Sequence, residues 1–172
     1  MIERSIKRKV VQTFFDEPTR EFHLRELSRL LNISLPTAIS TTDYLSKKEI
    51  IIKKKGKVTT LLKANREAEE FGRAKMVANL ENIFESGVVD FLIQKYNHPK
   101  CIILFGSYAR GEDIERSDID IAILTDKPKE TDLIKYQKVL KREISIHIVD
   151  VTTVSEEFRL NLMNGIVLEG SW

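Results

Sequence analysis

The chain has 172 residues, 42% hydrophobic and 31% charged, a composition that suits one ordinary or two small folded domains and excludes a disordered chain. No apolar run reaches membrane-spanning length, and residues 1–15 are basic and amphipathic without the unbroken apolar stretch of a signal peptide. The single cysteine, Cys101, excludes an internal disulfide and a cysteine-rich zinc site, so a soluble protein of the reducing cytoplasm, with no membrane partner, is expected.

The net charge of +2 conceals an asymmetry. Residues 1–65 carry 14 Lys/Arg against 7 Asp/Glu, a net of +7, and residues 66–172 carry 14 against 19, a net of −5. The basic part suits a phosphate backbone, whose condensed counterions are released on neutralisation. The acidic part would repel that backbone unless a metal intervened.

In chain order, Ile6, Val10, Val11 and Phe14 recur at helical spacing and predict a helix over residues 2–15. A short extended piece at 21–23 leads into a second helix over 24–31, lined by Leu24, Leu27 and Leu31. Asn32 tolerates the left-handed backbone that a tight turn needs. Ser34 then suits an N-cap, with Pro36 in the first turn of a third helix running to about residue 48. Alternating segments at 49–55 and 57–63, with a turn at Lys55-Gly56, predict a hairpin.

Residues 20–63 resemble the winged helix-turn-helix of many prokaryotic regulators, mostly α with a β-hairpin wing. That resemblance implies a duplex-DNA partner. Leu35, Ala38, Ile39 and Leu45 are expected in its core, with Ser28 as the small residue of the close helix contact. Thr37, Ser40, Thr41, Tyr44 and Lys47 would face the major groove, and Lys53, Lys54, Lys55 and Lys57 at the hairpin tip would meet phosphates. The helix at 2–15 is a candidate homodimer interface or simply packs within its own domain.

The expected domains are 1–65, a helical connector at 66–85, and 86–172. Val77, Leu80, Phe84, Val88 and Leu92 keep helical spacing through the connector and beyond, and Gly87 is placed to divide the helix. Short apolar, β-prone runs follow at 101–105, 119–125 and 144–151, with a helix at 132–142 between the last two and another at 155–163. That order predicts a small mixed α/β (α+β) sheet.

The chemistry is concentrated in Phe105-Gly106-Ser107-Tyr108-Ala109-Arg110-Gly111 and Ser117-Asp118-Ile119-Asp120-Ile121. Gly106 lets the backbone turn at a strand end and approach a ligand closely. The amides after it open a helix and favour phosphate oxygens, to which Ser107 adds a hydroxyl and Arg110 a positive charge. Asp118 and Asp120 alternate along the next strand, so both carboxylates share one face with Cα atoms about 6–7 Å apart. Two hard oxygen ligands beside a phosphate site describe Mg2+ (or Mn2+) held jointly by protein and triphosphate. An Asp pair that merely caps a strand is the bland alternative; the Gly-Ser turn upstream argues against it.

Gly-Ser-x-x-x-Gly followed by Ser-Asp-x-Asp resembles the signature of the DNA polymerase β-type nucleotidyltransferase superfamily, in its minimal nucleotidyltransferase branch, over about residues 86–170. The resemblance implies transfer of a nucleoside monophosphate from ATP or another nucleoside triphosphate, with metals held by three carboxylates. It places Gly106, Ser107, Arg110 and Ser117 on the nucleotide, and Asp118 and Asp120 on the metal.

The third acid is where this chain departs from the pattern. His147 occupies its slot in the run Ile144-Ser145-Ile146-His147-Ile148-Val149. Asp150 has the wrong parity, and Glu143 has the right parity but lies about 13 Å along the strand from position 147. Imidazole is a poor Mg2+ ligand. It titrates near neutrality, however, which suits a general base. Three functions stay open: a DNA-binding transcriptional regulator carrying a nucleotide domain; an active adenylyltransferase, antitoxin-like, that modifies a partner toxin-like protein or another acceptor; and a catalytically dead interaction module.

Overall fold

A computed structural model of the chain describes residues 2–56, 58–150 and 154–171, with side-chain burial from residue 5 onward. Lys57, Val151 and Trp172 lie outside the described residues. The chain divides into two units, Met1–Lys75 and Met76–Trp172, and the division falls within one helix, α4 (Glu69–Ser86).

In the first unit α1 (Ile2–Asp16) is followed by β1 (Glu21–His23), α2 (Leu24–Leu30), α3 (Leu35–Lys47) and a hairpin of β2 (Ile51–Lys55) and β3 (Thr60–Ala64). The turn between α2 and α3 forms for local reasons. Asn32 takes φ 51°, a conformation its short polar side chain tolerates. Ser28 Oγ donates to the Ile33 carbonyl at 2.7 Å, while the Ile33 amide donates to the Ser28 carbonyl at 3.0 Å. Ser34 then caps α3 by accepting from the Thr37 amide at 3.2 Å. The three strands pair antiparallel in the order β1-β3-β2, with Leu62 of β3 between Phe22 and Lys53. Phe14, Phe22, Leu27 and Leu62 are fully buried, Phe14 meeting Phe22 edge to face at 5.4 Å.

Two expectations for α3 are corrected. Thr41, expected to face solvent, is 4% exposed, and Ile39, expected in the core, is 40% exposed. The buried face is Ala38, Thr41, Thr42 and Leu45. Hydroxyls are tolerated there when satisfied locally, and Thr42 Oγ1 donates to the Ala38 carbonyl at 2.7 Å.

Lys53 is also displaced from its expected role at the hairpin tip. It shares a strand face with Ile51, which is buried, and its side chain is 6% exposed. Its ammonium donates to Asp43 Oδ1 at 2.9 Å and to Thr42 Oγ1 at 3.0 Å, tying β2 to α3.

The second unit continues from α4 through α5 (Val88–Lys95), β4 (Cys101–Phe105), α6 (Gly106–Arg110), β5 (Ile119–Leu124), α7 (Ile134–Leu140), β6 (Ile144–Val149), α8 (Glu156–Met163) and β7 (Ile166–Gly170). Gly87 at φ 75° separates α4 from α5. The break resets the helical phase, so the apolar spacing that runs through it is misleading. Val77 and Phe84 are exposed, while Asn79 and Ile83 are buried.

The sheet order is β6-β5-β4-β7, with β5 and β6 parallel and the other pairs antiparallel. Alternation sorts its residues into two cores. Ile102, Leu104, Ile119, Ile121 and Ile123 cluster with Val88, Leu92 and Tyr136, whereas Cys101, Ile103, Phe105, Ala122 and Leu124 cluster with Leu162 and Phe158. β7 adds a strand not expected from the sequence, built on the apolar run Ile166-Val167-Leu168. Among the described residues no helix is long and apolar enough to cross a membrane.

The Lys53 hydrogen bond, with the charges of Lys53, Lys55 and Lys47, holds the Asp43 carboxyl below the ordinary carboxylate range. The His23 amide, and then Arg20, do the same for Glu26. Groups depressed in the folded state contribute stability above their unfolded pKa and lose it as pH falls through the folded value. Urea unfolding of the full chain should therefore show falling stability below about pH 4. Asp43→Ala, which leaves the Lys53 ammonium under-satisfied, should cost about 1–2 kcal/mol at pH 7 and blunt the acid dependence.

Candidate functional site

The site is assembled at one end of the four-stranded sheet, where β4 ends and β5 and β6 begin. Phe105 pairs with Asp120, which puts the turn after β4 directly beside the β5 carboxylates. Gly106 opens α6 at φ 74°, in the left-handed region. A Cβ there would lie 2.5 Å from Asp120 Oδ2, so the absence of a side chain is what lets the carboxylate reach the turn. The Ser107 hydroxyl makes no hydrogen bond to the described residues. Gly111, at φ 70°, ends α6 and returns the chain toward β5.

Asp118 and Asp120 fall on one face of the β5 segment, Asp118 exposed and Asp120 half-buried. On the adjacent strand His147 Nε2 lies 3.2 Å from Asp120 Oδ1. A carboxylate oxygen accepts, so a hydrogen bond in this contact is one that Nε2–H donates. The imidazole is flanked by Phe105 and Phe158, with ring centroids at 5.1 and 5.9 Å. Asp120 thus has one oxygen against Gly106 and the other against His147.

Two nucleotide candidates are engaged elsewhere. Arg110 Nε donates to Glu112 at 2.8 Å, and Ser117 Oγ accepts from the Ile114 amide at 2.9 Å, closing the loop before β5. The β5–β6 register pairs Ile119 with Ile144, so one residue earlier Glu143 comes beside Asp118. Distance along β6 from position 147 hides this proximity. The Glu143 carboxylate accepts from Gln137 Nε2 at 2.6 Å. Among the described residues no three His, Cys, Asp or Glu side chains are grouped to hold a metal ion. The two aspartates are hard oxygen donors and fit a cation that takes its remaining ligands from phosphate oxygens and water.

Sequence reasoning missed the support beneath the turn. Asn79 Nδ2 donates to the Tyr108 carbonyl at 2.9 Å and to Asp113 Oδ1 at 2.8 Å, with Asn79 4% and Asp113 2% exposed. Arg142 stands 4.0 Å from the other Asp113 oxygen. Only the position of Asp113, two residues past Gly111, hinted at it. Asn79 lies in a helix whose apolar spacing pointed to other residues.

In the first unit Ser40, Tyr44 and Lys47 are exposed and Thr37 is half-buried, all on one face of α3 at three- and four-residue spacing. Lys54 and Lys55 are exposed near the hairpin tip. Lys7 Nζ sits over the Tyr44 ring at 4.7 Å.

The turn and the carboxylate pair lie within the segment of the chain that a family model matches. Residues 89–170 match the family model described as Polymerase beta, Nucleotidyltransferase, a little under half of the chain. No curated protein and no solved structure matches.

Gly106→Ala combines a left-handed backbone strain of about 1–2 kcal/mol with the displacement of Asp120. Urea denaturation should show a loss of at least that size, and calorimetry should show weaker cation-dependent nucleotide binding. Unchanged binding would remove the Gly106–Asp120 contact from the site.

Proposed function

We propose that the second unit binds ATP or another nucleoside triphosphate with Mg2+ or Mn2+ and transfers its nucleoside monophosphate to an acceptor, and that the first unit binds duplex DNA as a winged helix-turn-helix, making the chain a transcriptional regulator. The observation that carries the nucleotide reading is the abutment of Gly106 and Asp120, which sets a phosphate-accepting turn against a carboxylate pair. In this reading the α6 amides and the Ser107 hydroxyl bind triphosphate oxygens. Asp118 and Asp120 would hold the cation, which would supply charge neutralisation at the phosphates. Arg110 joins them only by exchanging Glu112 for phosphate.

His147 favours a second reading, in which nucleotide is held but turned over slowly. Its Nε2 faces Asp120 Oδ1 at 3.2 Å, so that nitrogen is turned to the carboxylate and not to an incoming acceptor. It adds no anionic oxygen where the resemblance calls for a third acid. An antitoxin-like role toward a partner protein rests on the same site and differs only in the acceptor.

Titration calorimetry with ATP and Mg2+ tests the nucleotide reading. Asp118→Asn/Asp120→Asn should lose at least tenfold in cation-dependent affinity, about 1.4 kcal/mol. His147→Asp adds an oxygen ligand and should strengthen Mg2+ binding and raise label transfer from radiolabelled ATP. Vigorous transfer by the parent that disappears in His147→Asp would make the histidine catalytic and overturn the slow-turnover reading.

The DNA reading is supported by the helix–turn–helix–hairpin order, the exposed α3 face and the net +7 charge of residues 1–65. Lys47→Ala/Lys54→Ala/Lys55→Ala should weaken binding of the full chain to all duplexes alike and flatten its salt dependence, each lost phosphate contact reducing the slope by about 0.9. Lys53→Ala should reduce stability rather than the slope, since its ammonium is spent on Asp43. An unchanged slope in the triple variant would exclude these lysines from DNA contact.

A further inference from the structure

Beside Asp118 lies a cavity of about 490 Å³ that reaches neither Gly106 nor Ser107 nor Asp120. Its walls come from the loop before β5, with Arg116, Ser117 and Asp118, and from the end of α7, with Lys138 and Lys141. The cations of this unit differ in how far their charges are committed. Arg110 is bound to Glu112, and Arg142 is directed at buried Asp113. Arg116, Lys138 and Lys141 are exposed, and their side chains make no hydrogen bond or ion pair with the described residues.

Complementing the α7 dipole accounts for lysines at its C-terminal end. It does not account for Arg116, which arrives from a different element and lines the same cavity. Lys141 is the C-cap of α7 at φ 54°, the left-handed ending common to helices, and this sets where its side chain leaves the backbone. The carboxylates of Glu115 and Glu143 line the same cavity and keep their charge, Glu143 accepting from the neutral Gln137 amide, but neither forms an ion pair with Arg116, Lys138 or Lys141.

We propose that this cavity is a second phosphate subsite, separate from the Gly106–Ser107 turn, that takes a phosphate of the acceptor. The acceptor's role rests on the transfer reading above; the anion site does not. Three uncommitted cations neutralise a phosphate, and Asp118, shared by the cavity and the carboxylate pair, places that phosphate next to the reacting centre. A phosphorylated acceptor would be oriented by one phosphate here while its hydroxyl is presented to the nucleotide.

Pyrophosphate binding to the full chain, measured by calorimetry in EDTA, tests the subsite without the metal–nucleotide reading. Arg116→Ala/Lys138→Ala/Lys141→Ala should weaken it at least tenfold with an unchanged melting temperature. Lys138→Arg/Lys141→Arg should retain it. Equal affinity in the parent and the triple Ala variant, or loss in Lys138→Arg/Lys141→Arg, overturns the proposal. A 5′-phosphorylated trinucleotide that binds at least tenfold tighter than pyrophosphate, and loses that affinity in the same variant, assigns the phosphate to a nucleic-acid end. Affinity no better than pyrophosphate assigns it to a small phosphorylated compound. Loss of cation-dependent ATP binding in Asp118→Asn/Asp120→Asn is read separately, so failure of either reading leaves the other standing.

Discussion

The pairing of Phe105 with Asp120 across β4 and β5 is the constraint from which the second unit's site follows. Antiparallel pairing brings the end of β4 to the start of β5, so the turn at Gly106 and the carboxylates at 118 and 120 meet at one end of the sheet. Shifting the register by one residue would send both aspartates to the opposite face, into a core of isoleucines. The isoleucines at 119, 121 and 123 prevent that slip, because their burial fixes which side of β5 carries the aspartates. The same alternation puts His147 on the aspartate face of β6, where it reaches diagonally to Asp120.

Satisfaction of charge separates structural ions from available ones throughout the molecule. Lys53 is consumed by Asp43 and Thr42, and Arg20 is forked between Glu17 and Glu26 while stacking on Phe22. Asp113 holds the loop before β5 to α4 through Asn79. These groups fix turns and helix ends on which other side chains stand. A basic composition therefore overstates the charge a chain can offer to a ligand, and what counts is the set of cations left uncommitted after folding.

Features written in consecutive residues were legible before the fold was known. The turn at Asn32, the cap at Ser34, the break at Gly87 and the spacing of Asp118 and Asp120 each depend on local backbone chemistry. What needed the fold was phase and register. Thr41 and Ile39 exchange places because one helical step decides burial, and the apolar residues of α3 do not specify that step uniquely. Glu143 looked remote from the site because distance was counted along its own strand, whereas pairing brings it beside Asp118. The Asn79–Asp113 contact joins residues far apart in the chain, and no local pattern announces it.

The strand pairings also set an order of assembly. β4 takes one neighbour from β5, close by in sequence, and the other from β7, the most distant strand of the sheet. Long-range pairing closes late, since the intervening chain must lose its freedom first. Until β7 docks, β4 presents an open edge bordered by Cys101 and Ile103, a template for pairing with another chain. Gly165 governs the docking, because a Cβ there would sit 2.6 Å from Ile103 Cγ2. A segment that contributes no site residue therefore covers the edge that β4 would otherwise leave open.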